Sequence, residues 1–222
     1  MRRLPALLAV LAVAAFAPLA AQATPGDNGT RIAVSASRKY QALTNFQAQF
    51  RQELTDKYIE QRDSKGAMYQ EGKSHFAMRW SDPPKESICL DGSFVWMYFP
   101  STSPGTVKRF PQQSDPTYGT NLVGTFLDNP ADRYRITYVK TEMIDGHYTD
   151  AVMMEPINGK MQFQRATVWL DRDLGMPRKI EIQEKRDAGR VLYLSNILLN
   201  RTIPPDMFAC SKLPGGTKIL DQ

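Results

Sequence analysis

Apolar and polar residues alternate over short stretches of this chain, which is the pattern of half-buried β-strands. The stretches are Phe94–Phe99, Tyr134–Ile144, Val152–Glu155, Gln162–Leu170, Arg178–Glu184 and Val191–Leu198. Turn-forming residues separate them, namely Asp91-Gly92, Asp145-Gly146, Asn158-Gly159 and Asp187-Ala188-Gly189. No long helical pattern lies between the stretches, as a parallel sheet would require. The sequence therefore predicts a mainly β (α+β) fold with a long antiparallel sheet.

The hydrophobic period changes once near the N-terminal end of the predicted domain. Apolar residues first recur at helical spacing, at Ile32, Ala36, Tyr40 and Leu43. They then follow even steps, at Phe46, Ala48, Phe50 and Leu54. Because the change falls at Thr44-Asn45, the pattern predicts a short amphipathic helix followed by a half-buried strand.

Residues 1–23 have the pattern of a cleaved secretory signal. Met1-Arg2-Arg3 supplies positive charge, Leu4–Leu19 is a short apolar run, and Ala21-Gln22-Ala23 fits a signal-peptidase site. A transmembrane anchor is the alternative, but the run is short for a bilayer and contains prolines. We therefore expect export to the periplasm and cleavage near Ala23.

Residues 24–30 are rich in Gly, Pro, Asp and Asn, and this composition predicts a loose polar leader. Residues 31–222 are enough for one β-rich domain with a sizeable core. The formal charge of the whole chain is +5, and Lys and Arg are dispersed along it. A nucleic-acid groove would need a basic stripe, so no nucleic-acid partner is expected.

The chain contains two cysteines, Cys89 and Cys210. In an oxidising compartment they could form one structural disulfide. Two buried thiols on different strands are the alternative, because the sequence does not give the Cα distance that a bridge requires. Both possibilities remain open at this point.

A long interval, from Ser101 to Asn129, is rich in Pro, Gly, Ser and Thr but contains one apolar cluster. The cluster fits one face of a helix and consists of Leu122, Val123, Phe126 and Leu127. An ordinary loop with a small satellite core would explain it. A lid whose apolar side closes a cavity would also explain it, since long loops in compact domains are often functional.

Aromatic residues and methionine are concentrated in two strands. Phe76, Met78 and Trp80 share one face by alternation, and Phe94, Trp96 and Tyr98 share another. They could fill an ordinary core. They could instead line a pocket, where flexible Met and broad aromatic rings adapt to apolar ligands.

Residues for catalysis or metal binding are scarce. His75 and His147 are the only histidines, and no Cys-x-x-Cys, His-Glu-x-x-His or Gly-rich phosphate loop occurs. Asp91, Asp145 and Asp171 adjoin turn residues, where an Asp usually bonds its own backbone. We expect no catalytic residue, no metal site, no cofactor and no enzymatic activity.

Several short motifs resemble the LolA family of periplasmic outer-membrane lipoprotein carriers. Phe46-Gln47-Ala48-Gln49-Phe50-Arg51-Gln52 is similar to the F-x-A-x-F-x-Q strand that follows the family's first helix. The resemblance continues through Met78-Arg79-Trp80, Pro83-Pro84, Asp91-Gly92, Val95–Pro100 and Ile203-Pro204, and ends with Phe208 and Pro214. It covers nearly all of residues 31–222, in the family's order.

The resemblance implies an incomplete antiparallel β-barrel of about eleven strands, with a helical lid over a hydrophobic cavity. The implied cargo is lipoprotein acyl chains. The implied partners are the inner-membrane ABC transporter LolCDE and the outer-membrane acceptor LolB, and the expected state is a monomer. By motif position, Met78 and Trp80 would face the cavity, and the cluster from Leu122 to Leu127 would form the lid.

One motif departs from the family. Many members carry Lys-Arg-Pro before the aromatic-x-Trp segment, and its Arg holds the lid to the barrel. Counting back from Trp80, this chain has Lys73-Ser74-His75. Lys73 and Ser74 therefore occupy the latch position, and neither side chain has the planar fork of a guanidinium.

Four functions come into consideration. A carrier that shuttles lipoproteins from the inner to the outer membrane is the leading hypothesis. The alternatives are a LolA-like binding protein for another lipid and an envelope-stress regulatory module such as RseB, which has the same fold. An enzyme with this fold, such as VioE, is disfavoured by the absence of a catalytic constellation.

Overall fold

The computed structural model describes residues 25–56, 59–112, 121–158, 161–185 and 188–222. The helices are α1 (Pro25–Gln41), α2 (Leu122–Leu127) and α3 (Pro130–Arg133), with a 3-10 turn at Pro205–Phe208. The strands are β1 (Asn45–Asp56), β2 (Ile59–Glu71), β3 (His75–Asp82), β4 (Pro84–Asp91), β5 (Phe94–Tyr98), β6 (Thr106–Pro111), β7 (Tyr134–Ile144), β8 (His147–Pro156), β9 (Phe163–Asp171), β10 (Pro177–Glu184), β11 (Gly189–Leu199) and β12 (Lys218–Asp221). The predicted mainly β fold is confirmed.

The twelve strands form one open sheet in the order β12-β6-β5-β4-β3-β2-β1-β11-β10-β9-β8-β7. All neighbouring strands in this order are antiparallel except β12 and β6, which pair in parallel. The expected strand number, about eleven, is one too low because β12 joins the edge of the sheet. The sheet is open rather than closed into a barrel, so the barrel is incomplete as expected.

Helix α1 begins at Pro25, earlier than the sequence predicts. The prediction of a loose leader is wrong for residues 25–30, which form the first turns of the helix. Gly29 explains why these turns pack, because a Cβ at this position would lie 2.5 Å from the backbone nitrogen of Tyr138 in β7. The absence of a side chain permits this close approach. The predicted signal sequence, residues 1–23, lies outside the described residues.

The inner face of the sheet carries the main core. Helices α1, α2 and α3 pack on this face, and the alternation along β1 turns Phe46, Ala48 and Phe50 toward them. All three side chains are buried, as are Leu192 and Leu194 on the neighbouring β11. The inner face and the helices thus form one continuous apolar interior.

The outer face carries a second, smaller core under the C-terminal residues. We call residues 203–222 the C-terminal strap. Cys89 of β4 and Cys210 of the strap form a disulfide with a Cα–Cα distance of 5.5 Å. This observation decides between the bridge and the two thiols that the sequence left open. The outer cluster consists of Ala77, Cys89, Trp96, Tyr98, Val107 and Cys210.

An ion pair fixes the end of the C-terminal strap. The Arg109 guanidinium of β6 donates to both carboxylate oxygens of Asp221 in β12, at 2.6 and 2.9 Å. The same guanidinium lies over the rings of Phe94 (4.7 Å) and Trp96 (5.2 Å). The strap is therefore attached by a disulfide bond at Cys210 and by an ion pair at Asp221.

The helices in the described part of the chain are too short or too polar to cross a membrane.

Candidate ligand-binding site

Strand β3 directs the first aromatic and Met-rich triplet into the interior. Phe76, Met78 and Trp80 all belong to the main core on the inner face and are buried. The Trp80 ring lies between two other rings, with centroids 5.2 Å from Phe50 and 5.8 Å from Phe99. The indole Nε1 donates to Ser64 Oγ at 3.3 Å, which satisfies the one polar atom of the ring. The alternation thus places these three side chains on one face, as predicted.

The second triplet lies on the opposite face of the sheet. Trp96 and Tyr98 belong to the outer cluster, and Phe94 packs against that cluster. The prediction that they line the same interior as Trp80 is wrong. The reason is register, because Trp96 pairs with Cys89, whose side chain points to the C-terminal strap. The inward residues of β5 are instead Val95 and Met97.

Helix α2 covers the interior at the predicted position. The sequence of the helix is Leu-Val-Gly-Thr-Phe-Leu, and all six residues are buried. The Phe126 ring contacts Tyr134 (centroids 5.9 Å) and Phe163 (5.6 Å), which extend the interior toward β7 and β9. The Asn121 side chain caps the helix by accepting from Gly124 N at 3.0 Å. The four predicted lid residues therefore form one helix over the inner face.

A buried polar group ties α2 to the sheet and to α1. Gln70 of β2 accepts from Asn121 Nδ2 at 2.9 Å and from the Tyr40 hydroxyl at 2.9 Å. Its Nε2 also donates to the Tyr40 oxygen at 2.8 Å and to Gly72 O at 2.9 Å. We call Tyr40, Gln70 and Asn121 the polar triangle. Each of the three residues is at least nine-tenths buried.

The polar triangle is neutral. Burial raises the pKa of the Tyr40 phenol above its usual range, and Asp128 raises it further, so the hydroxyl keeps its proton. The triangle was not predicted from the sequence. Its one signal was Gln70 on the inward side of a strand, since a buried amide must find partners.

The two predicted latch residues differ in what they face. The Ser74 hydroxyl lies 3.2 Å from Nδ1 of the neighbouring His75, in the β2–β3 turn. Lys73 acts on Asp128, which ends α2: burial raises the pKa of this carboxyl, and the charges of Lys73 and Arg133 lower it. Lys73 therefore attracts the C-terminal end of α2, whereas the described hydrogen bond of Ser74 is local.

Side chains of α2 occupy part of the interior. Val123, Phe126 and Leu127 are fully buried against the inner face. An acyl chain that took the place of these side chains would have to displace them. In the described residues, no group of three or more His, Cys, Asp or Glu side chains could hold a metal ion.

A comparison of the sequence with known protein families shows to which family the chain belongs. The sequence profile described as outer membrane lipoprotein carrier protein LolA matches residues 41–211. The chain belongs to the LolA family. The profile covers the strands β1–β11, α2, α3 and the strap as far as the residue after Cys210.

Solved structures are similar to this LolA family member at low sequence identity, and two of them reach a TM-score of 0.5 or more. A conserved protein of Thermus thermophilus is 8% identical, with a TM-score of 0.56 over 87% of this chain and 99% of that one. MucB is 14% identical, with a TM-score of 0.50 over 82% and 62%. A LolA superfamily protein of Nitrosomonas europaea is 14% identical, with a TM-score of 0.40 over 81% and 96%. None of the curated proteins matches the chain significantly.

Proposed function

We propose that this LolA family member is a periplasmic carrier that shelters lipoprotein acyl chains between the inner and the outer membrane. The observation that carries the proposal is α2, a fully apolar helix face that lies on an apolar sheet and is fixed by non-covalent contacts alone in the described structure. The partners proposed from family resemblance are LolCDE as donor and LolB as acceptor. Residues 1–23 act as the signal for export.

The energetics of the cargo require a cover of this kind. Each CH₂ group that an acyl chain exposes to water costs about 0.8 kcal/mol. A carrier must therefore enclose the chains, and it must also release them at the acceptor. Apolar residues that now pack in the main core, such as Phe126 and Trp80, would contact the acyl chains when α2 moves away.

The polar triangle sets the cost of that movement. Separating Asn121 from Gln70 leaves a buried amide without its partner, which costs about 1–3 kcal/mol unless water or cargo replaces the bond. This cost is small compared with the burial of an acyl chain. The closed state is therefore stable without cargo, and binding of an acyl chain is favourable enough to open it.

A soluble-complex assay tests the proposal. A triacylated lipoprotein in detergent is mixed with the purified protein, the detergent is diluted below its micellar concentration, and soluble complex is measured by affinity capture. We expect a complex with the acylated lipoprotein and none with the same polypeptide lacking its acyl chains. Outer-membrane vesicles containing LolB should then withdraw the cargo.

The control variants separate binding from general damage. Phe126→Asp introduces a charge where α2 meets the inner face and should abolish capture. Glu181→Gln on the outer face should leave capture unchanged, since Glu181 is exposed. Equal capture of acylated and non-acylated polypeptide would overturn the proposal and would favour a protein-binding regulatory role.

A further inference from the structure

One amide lies among the apolar side chains of the inner face. Gln52 of β1 lies two residues after Phe50, on the inward side of the strand, and is 7% exposed. Its register partner on β11 is Leu192, a fully buried residue of the main core. In the described structure the Gln52 side chain makes no hydrogen bond, although buried amides usually have a partner.

Gln52 lies at the boundary between the enclosed interior and the solvent-reached end of this face. Along β1, the inward residues from Phe46 to Gln52 are buried, whereas Leu54, the next one, is partly exposed. The same change occurs on β11 between Leu192, which is fully buried, and Arg190, whose side chain is 24% exposed. A ligand whose hydrocarbon chain lies in the interior would therefore place its more polar part at the level of Gln52.

Two further hydrogen-bond donors lie beside Gln52. Ser64 of β2 pairs directly with Gln52, and its hydroxyl oxygen accepts from the Trp80 indole at 3.3 Å. A hydroxyl that accepts can still donate its own proton. Arg190 pairs with Leu54 and so lies diagonally across from Gln52, within reach of a long side chain. The Nε of Arg190 is buried and has no partner in the described structure.

We call Gln52, Ser64 and Arg190 the donor group. The Arg190 Nη2 lies 3.5 Å from the Glu184 carboxylate, so this cation already has a counter-ion. A ligand that fits the donor group must therefore bring hydrogen-bond acceptors, and it needs no charge. A carbonyl oxygen is an acceptor of this kind. In an ester, the carbonyl lies where an acyl chain joins its glycerol.

We propose that the donor group binds the ester carbonyl of an acylglycerol whose acyl chain occupies the interior. The inference rests on the proposed function and adds the chemical class of the cargo, an acyl ester rather than a plain hydrocarbon or an ether. Two sources share this chemistry, the diacylglyceryl group of a lipoprotein and a glycerophospholipid. Gln52 makes the largest contribution because it is the most enclosed of the three residues, and hydrogen bonds are stronger away from water.

A matched ester and ether test the inference in a displacement assay. The neutral dye N-phenyl-1-naphthylamine reports occupation of the interior, and monodecanoylglycerol or the decyl ether of glycerol competes with it below the micellar concentration. The competitors differ only at the carbonyl, so apolar contacts alone favour the ether. We expect the wild type to bind the ester at least as tightly as the ether. Gln52→Leu should lower the ester-to-ether affinity ratio about three- to tenfold, the effect of one hydrogen bond.

Stability measurements separate this role from a structural one. Gln52→Leu keeps the volume and removes no side-chain hydrogen bond of the described structure, so the free energy of unfolding in urea should be unchanged or higher. Lower stability with equal weakening of ester and ether would mean that Gln52 only supports the fold, and the inference would fail. Gln49→Leu, at an exposed position of the same strand, is the matched control and should leave the ratio unchanged. Ser64→Ala should lower the ratio, but less than Gln52→Leu does.

The outcomes distinguish this inference from the proposed function. If both competitors displace the dye and their affinity ratio is the same in the wild type and in Gln52→Leu, the ester site is overturned and the carrier is not. A wild type that binds neither dye nor competitor overturns both. Lysophosphatidylglycerol and a diacylglyceryl lipopeptide then identify the source, because Gln52→Leu weakens the one that binds at the donor group. Weakening of neither would overturn the inference.

Discussion

The two faces of the sheet are covered in different ways. On the outer face, the C-terminal strap is joined to β4 by the Cys89–Cys210 disulfide and to β6 by the ion pair of Arg109 with Asp221. On the inner face, α2 is held by apolar packing and by the polar triangle. One cover is covalent, and in the described structure the other consists of contacts that can be broken and remade.

This difference indicates which face can exchange ligands. A covalent cover limits local opening, whereas a helix of six residues has little stability of its own and depends on what it packs against. Removing α2 from the inner face requires the loss of the Asn121–Gln70 amide contact, of the hydrogen bond that the Tyr134 hydroxyl donates to Thr125 O at 2.8 Å, and of apolar contacts that cargo can replace. Substitutions on the two faces test this contrast.

Phe126→Ala should produce the largest loss of stability. Its ring is fully buried between α2, Tyr134 and Phe163, and the truncation leaves a cavity. We expect the free energy of unfolding to fall by about 3–5 kcal/mol in urea titrations. Leu198→Ala, a truncation at an exposed apolar residue, should change it by less than about 0.5 kcal/mol. A loss below about 1 kcal/mol for Phe126→Ala would mean that α2 is not packed in solution.

Loss of the disulfide should destabilise the chain without opening the inner face. The bridge spans 121 positions, and removing a bridge typically costs about 2–5 kcal/mol. We expect this loss for the double variant Cys89→Ser, Cys210→Ser in urea titrations. Dye uptake by the interior should stay within about twofold of the wild type, because less than about 0.5 kcal/mol is expected at a distant site. Strongly accelerated uptake would contradict the separation of the two faces.

Gln70→Leu should loosen α2 more than it destabilises the domain. The substitution keeps the volume but removes three partners from the polar triangle and Gly72, at a cost of about 1–3 kcal/mol. Amide hydrogen exchange in α2 and dye uptake should both become faster. Gln183→Leu, on an exposed position of β10, is the matched control and should leave both rates unchanged. If amide hydrogen exchange in α2 is unchanged in Gln70→Leu, the polar triangle does not hold α2 in place.

Lys73→Gln should have the smallest effect, and that effect should depend on pH. Burial raises the pKa of Asp128 in the folded protein above its pKa in the unfolded chain. This carboxyl therefore stabilises the fold most at low pH, and its contribution is lost as the pH rises through the folded-state pKa. The attraction to Lys73 exists only when Asp128 is ionised. We expect Lys73→Gln to lower stability by about 0.2–1 kcal/mol at neutral pH. The difference should vanish below the pKa of Asp128.

Ser74→Ala is the neighbouring control for Lys73→Gln. Its hydroxyl bonds His75 and not α2, so a change within about 0.5 kcal/mol is expected. If Ser74→Ala changes amide hydrogen exchange in α2 more than Lys73→Gln does, Ser74 holds α2 in place after all.

The sequence predicted the parts of the fold that depend on local chemistry. Strand β7 has the predicted bounds, and Asp145 and Gly146 both take positive φ in the two-residue hairpin that their types favour. Asp91 and Asp171 act as turn formers, each accepting two backbone N–H groups that follow in the chain. Such features require only neighbours along the chain.

The features that the sequence did not reveal depend on distant partners. Trp96 faces the strap because its partner Cys89 is bridged to Cys210, which is distant in the chain. Alternation alone shows only that Trp96 and Val95 point to opposite faces, not which face is the interior. The polar triangle joins three residues from α1, β2 and the end of the long interval. Strand β12 forms because a parallel partner, β6, is available at the sheet edge. Each of these features depends on contacts that exist only once distant parts of the chain have folded together.

The strand order also has a consequence for how the chain assembles. Strands β1–β6 and β7–β11 are two consecutive meanders, in which each strand pairs with its neighbour along the chain. They meet at a single seam, β1 with β11, where Phe46 pairs with Leu199. Contacts between distant positions form slowly because a long loop must close first. Each meander can therefore order early, and closing the seam becomes the slow step that completes the interior.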